Sequence, residues 1–162
     1  MSARTAPRVP SRTWYDPVLD CSMSTGDQAV RAGEAFLTTD PRSTDLAFDS
    51  ETPGLDDSFT INCVTAAWQR PSGRVETILL DPQRDPRHLS LAAAMIAHCR
   101  TLVFHNAPFD VPPLHHAGLL GLDYIAKVVD TLVLARMAMP EPPPFGQRKD
   151  LTSLSVKHLD LA

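Results

Sequence analysis

Three short strand-like runs follow one another before strands and helices begin to alternate, and that order limits the folds open to the chain. Leu46, Ala47 and Phe48 form a short buried strand ending in Asp49. Phe59 to Trp68, rich in Thr, Val and Ile, is a second, and Val75 to Leu80 is a third. Arg70-Pro71-Ser72-Gly73 supplies the hairpin turn between the last two. Asp85-Pro86 then starts a helix, with Asp as cap and Pro in the first turn. Leu89, Ala92, Ala93, Ile96 and Ala97 fall on one face of it. Thr101 to Phe104 is a fourth strand, a helical stretch follows at about 113–119, and Val128-Val129 is a short fifth strand. Asp130 caps a helix through Met137, and Asp150 caps a last one. A short helix over Gly26 to Leu37 precedes them all. The expectation is an α/β fold: a mixed five-stranded sheet, three antiparallel strands first, then strands reached by helical crossovers, with helices on its faces.

The chain's 162 residues, 43% hydrophobic and 21% charged, suit one globular domain, with or without tails. Pro7, Pro10 and Pro17 break any periodicity near the start, so residues 1–24 read as a disordered or loosely attached arm and 25–162 as the domain. The longest purely apolar run, Leu91 to Ala97, is far short of a membrane span, and no apolar stretch follows the N-terminal arginines. Cys21, Cys63 and Cys99 are odd in number and widely spaced, which supports neither a disulfide framework nor a cysteine zinc knuckle. A reducing cytoplasm is the expected location. The last helix has no closing Gly, Pro or basic turn, and two leucines lie in the final four residues; the expectation is a domain incomplete at its C-terminus.

Net charge is −4, and Arg4, Arg8 and Arg12 stand in the first 13 residues without an acid, which leaves −7 on the rest. An acidic body disfavours simple electrostatic coating of nucleic acid, but does not exclude an enzyme whose acids hold cations that meet phosphates. Acids stand at or just past strand ends: Asp49 and Glu51, Asp110, and Asp130. Residues two apart in a strand point to one side, so Asp49 and Glu51 project together. Two such carboxylates repel unless a cation lies between them, and Mg²⁺ or Mn²⁺ takes oxygen ligands of this kind. A third acid from a neighbouring strand-to-helix junction would complete most of a two-metal site.

The stretch from Leu46 to Asp56, LAFDSETPGLD, resembles the first motif of the DEDD (DnaQ-like) 3′–5′ exonucleases. LVFHNAPFD, from Leu102 to Asp110, resembles their second motif. VVDTLVLA, from Val128 to Ala135, is similar to the segment after it, and KDLTSLSVKHL, from Lys149 to Leu159, to the helix before the third motif. The likeness is nearest to the proofreading domains of family A (DNA polymerase I type) polymerases of phages. It implies a ribonuclease H-like fold and hydrolysis of the 3′-terminal phosphodiester of single-stranded DNA with two Mg²⁺ or Mn²⁺ ions. It also implies a link to replication and proofreading in a phage or its bacterial host. Asp49 would bridge both ions, Glu51 would bind the first and orient the attacking water, and Asp110 would hold the second. Leu55 would wedge beside the terminal base, Phe109 would pack near the terminal nucleotide, and Asn106 would support the second motif or touch the strand. Backbone groups near Ser50 and Thr52 would meet the 3′-hydroxyl. Asp130 is a structural or secondary acid in this family.

The family's third motif, Tyr-x₃-Asp or His-x₄-Asp, is not completed: Tyr124 is followed by Val128, and His158 would need an Asp at a position past Ala162. The fourth acid and the water-orienting side chain would then come from elsewhere, such as a polymerase domain or a partner chain. The alternative is an inactive or split module that binds DNA ends or a partner. The six histidines lack ligand-like spacing, Gly118-Leu-Leu-Gly121 lacks the Lys-Ser/Thr of a phosphate loop, and Trp14-Tyr15 reads as part of a packed or idle tail rather than a base-stacking pair.

Overall fold

The computed structural model describes residues 9–54, 57, 59–138 and 150–159. Its strands are β1 (Arg12–Asp16), β2 (Cys21–Thr25), β3 (Asp45–Glu51), β4 (Cys63–Gln69), β5 (Val75–Leu80), β6 (Thr101–Phe104) and β7 (Val128–Asp130). Its helices are α1 (Asp27–Phe36), α2 (Pro86–His98), α3 (Val111–His116), α4 (Thr131–Ala138) and α5 (Leu151–Leu159), with a 3₁₀ segment at Leu122–Lys127. One mixed sheet of seven strands runs in the order β1-β2-β5-β4-β3-β6-β7. The five expected strands are all present, and β3, β4 and β5 pair antiparallel as expected.

The expected strand count and the N-terminal arm are both corrected by the hairpin β1–β2. Residues 12–16 and 21–25 extend the sheet, with β2 parallel to β5 in the register Met23–Thr77. Pro10 and Pro17 lie outside the two strands, so they bracket β1 rather than break it. The second expected strand starts later, at Cys63, and Phe59 sits in a turn. The helix expected at 113–119 spans Val111–His116, because Pro112 and Pro113 fit a first turn, where no amide donor is required.

Helices on both faces were the expectation; the topology puts the crossover helices on one. From β2 through α1 to β3, from β5 through α2 to β6, and from β6 through α3 to β7, the chain moves the same way along the sheet. Right-handed crossovers in one direction all fall on one face. The burial follows: Leu46, Phe48, Val64, Ala66, Trp68, Ile78, Leu80, Leu102 and Phe104 are buried, while their strand neighbours are half-buried or exposed. The helices pack closely there. A Cβ at Gly33 of α1 would come within 2.7 Å of the Leu91 side chain of α2, so a larger residue there would require Leu91 to shift. Trp68 meets Phe36 edge to face at 5.1 Å. The α2 carboxyl end is capped from outside: Lys127 Nζ donates to the carbonyls of Ile96, Ala97 and Cys99. Among the described residues no helix is long and apolar enough to cross a membrane.

Candidate functional site

β3 carries Asp49 and Glu51 on the exposed side of the sheet, opposite Thr65 and Cys63 of β4. The alternation therefore brings these two acids together as expected, while Ser50 between them faces the other way. Glu51 lies at the strand end, where its carbonyl accepts the Asn62 amide at 2.8 Å. Gln83 Nε2 donates to Asn62 Oδ1 at 2.8 Å and so ties that loop to the β5–α2 connection.

Asp110 reaches the same strand from the β6–α3 junction. The last β3–β6 register pair is Ala47–Val103, so β6 does not extend as far as Ser50. The Ser50 backbone N–H and its hydroxyl both donate to Asp110 Oδ1, each at 2.8 Å. Asp110 is 4% exposed, whereas Asp49 and Glu51 reach solvent. A buried carboxylate with two donors on one oxygen is satisfied there without being solvated.

The turn that delivers Asp110 is held by Asp130. Asp130 Oδ1 and Oδ2 accept the amides of Asn106 and Ala107 at 3.0 Å each, and Oδ1 also accepts from Leu132 at 2.8 Å. One side chain thus starts α4 and clamps the residues before Asp110. The clamp accounts for the left-handed backbone of Asn106 (φ 73°), a conformation asparagine tolerates better than most residues. The Asn106 contact to Asp130 is made by its backbone amide. Phe109 is exposed on this turn, Thr52 is half-buried just past β3, and Leu55 lies outside the described residues.

The acids act on one another. Burial, then the charge of Glu51, raises the pKa of Asp49 above the ordinary carboxylate value. Asp110 is raised mainly by burial; the Ser50 donors oppose this, and the charges of Asp49 and Glu51 add to it. Burial and the same acids, with Asp81, push the Cys63 thiol up. Asp130 goes the other way: burial acts to raise it, but the amides of Asn106, Leu132, Val133 and Ala107 outweigh burial and lower it.

Three carboxylates, of which Asp49 and Asp110 are raised in part by neighbouring acid charge, are a donor set whose chemistry fits a hard divalent cation. As they stand, however, no group of three or more His, Cys, Asp and Glu among the described residues is arranged to hold a metal ion. Asp110 is turned to Ser50, which separates it from the pair on the exposed side. A further contact went unforeseen: Phe59, in the β3–β4 loop, meets the His116 ring at 5.2 Å. The segments after Glu51 and after Asp110 therefore touch a second time. No local sequence signal announces that pair, since the residues lie far apart in sequence. Compared as a whole sequence, the chain matches no family model and no curated protein.

Proposed function

We propose that this chain is a metal-dependent 3′–5′ exonuclease-like domain acting on single-stranded DNA ends, linked to replication or proofreading. The observation that carries the reading is the bond of Asp110 to Ser50, the residue between Asp49 and Glu51, which ties the turn bearing Asp110 to the strand end that bears the other two acids. The inner order β5-β4-β3-β6-β7, with β4 alone antiparallel to its neighbours, supports a ribonuclease H-like reading of the sheet. Asp49, Glu51 and Asp110 would hold Mg²⁺ or Mn²⁺. When bound, such ions supply positive charge that offsets the charge developing on a phosphodiester. The exposed carboxylates of Asp49 and Glu51 orient a water on the open side. The buried Asp110 fixes the relation between β3 and the turn that bears Phe109, which is free to meet a terminal base.

A 5′-labelled single strand incubated with the pure chain in Mg²⁺ or Mn²⁺ tests this. Stepwise shortening from the 3′ end, absent in Asp49→Ala, is the expected result. No shortening in either metal rejects hydrolysis by this chain. A second reading, a module that binds ends without cleaving them, is favoured by the lack of a ready metal-holding group among the described residues. Retention of the labelled strand with no shortening in Mn²⁺ would select it.

A further inference from the structure

Strand β1 stands at the edge of the sheet, and all five of its residues are exposed. Among the described residues no strand pairs with its outer side. Exposed edges invite a further strand, and proteins commonly blunt them with charge, proline or a bulge. Here the strand centre holds Trp14 and Tyr15, each 49% exposed, and the charges stand only at the ends, Arg12 and Asp16. Trp14 lies directly opposite Met23 of β2, itself 44% exposed, so the apolar patch continues onto the next strand.

The five residues read Arg-Thr-Trp-Tyr-Asp. We propose that β1 is a self-complementary edge through which two copies of this chain join their sheets, antiparallel about Trp14. In that register Trp14 faces Trp14 of the second copy, and Thr13 faces Tyr15. Arg12 faces Asp16, twice over by symmetry. Arg12, Trp14 and Asp16 alternate onto one face, so each ion pair flanks the tryptophan pair. Arg12 makes no ion pair among the described residues, which leaves its charge available. Asp16 Oδ1 accepts the amides of Val18 and Leu19, and this holds the turn beside the seam without cancelling the carboxylate charge. Pro10 and Pro17 lie just beyond the two ends and carry no amide donor, so the seam stops there. A seam this short is smaller than a standard stable interface, so association is weak and concentration-dependent.

Sedimentation equilibrium of the chain from about 10 μM to 1 mM, a range that reads weak association, tests this. The expected result is a reversible monomer–dimer equilibrium. Arg12→Asp makes both ends of β1 acidic, and Asp16→Arg makes both basic. Each alone should weaken association at least about tenfold, because like charges then face each other. An equimolar mixture of the two variants should recover it, because the opposite ends complement. Asp16→Asn keeps the turn acceptor and removes only the charge. It should also weaken association, and it reads the ion pair even where Asp16→Arg disturbs the hairpin. Circular dichroism checks that each variant is folded. A chain monomeric throughout, or association unchanged in Arg12→Asp and Asp16→Asn, overturns the proposal. So does Trp14→Ala that weakens oligonucleotide binding while leaving the mass unchanged, which would make β1 a stacking platform for bases.

Discussion

At the scale of single residues, Asp49 carries a penalty that only a cation or a proton relieves. Its pKa is raised by burial and by Glu51, so the folded chain holds that proton more tightly than the unfolded chain. An acid raised in this way is fully tolerated below its ordinary pKa of 3.8. Its stability contribution falls as pH rises from there through the raised value, then stays constant. At neutral pH without metal the whole penalty is present. Asp49→Asn should therefore stabilise the chain in a chelator, by less than about 1 kcal/mol because solvent screens an exposed acid. Thermal unfolding in EDTA and in Mn²⁺ is the check. Mn²⁺ should raise the midpoint of the wild type more than that of Asp49→Asn. A lower midpoint for the variant in EDTA would mean that Asp49 supports the fold instead. The pairing of Asp49 with Glu51 was legible from the two-residue spacing. The hold of Ser50 on Asp110 was not, because it joins residues 60 apart in sequence.

At the scale of elements, the caps show which parts of a fold are local. Asp85 accepts the Arg87 amide at 3.0 Å and starts α2, as its place before Pro86 suggested. Its pKa is lowered to about 2, chiefly by its bonds to the Arg87 side chain. Asp130 does the same for α4 but also takes the Asn106 and Ala107 amides, a tertiary task invisible in its own segment. Asp85→Ala should thus cost about 1 kcal/mol, the usual value of a cap. Asp130→Ala should cost about 2–3 kcal/mol, because it also leaves amides without an acceptor. Urea unfolding of the two variants at pH 7 separates them, and equal losses would mean that the clamp adds nothing. The pH trend has the opposite sign to that of Asp49: the folded pKa of Asp130 is depressed, so its contribution is present above 3.8 and lost as pH falls through the lowered value. The hairpin β1–β2 was the least legible element. β1 buries nothing and so lacks an apolar alternation, while β2 is ordered by β5, more than 50 positions away in the register Cys21–Val75. Short-range patterns carry no trace of such pairing.

At the scale of the whole molecule, one rule of handedness organises what the separate elements do not. Every crossover between parallel strands advances the same way across the sheet, so α1, α2 and α3 share a face and the core forms there. The other face bears Asp49 and Glu51, which are exposed among the described residues. Its residues mix small, polar and apolar side chains, none of them fully buried: Ala47, Thr65, Ala67, Thr77, Leu79 and Val103. This asymmetry makes neighbouring residues of one strand energetically unequal. Leu102 is fully buried, and Val103, next to it in β6, is half-buried on the open face. Leu102→Ala removes a side chain from close packing and leaves a cavity, at a cost of about 2–5 kcal/mol. Val103→Ala removes less area and leaves no enclosed cavity on the open face, so it should cost under about 1 kcal/mol. Denaturant midpoints for the two variants give the comparison. A Val103→Ala loss approaching that of Leu102→Ala would mean that in solution something covers the face that carries the acids. The dimer seam at β1 does not account for such cover, because joining sheets edge to edge lengthens both faces and buries neither.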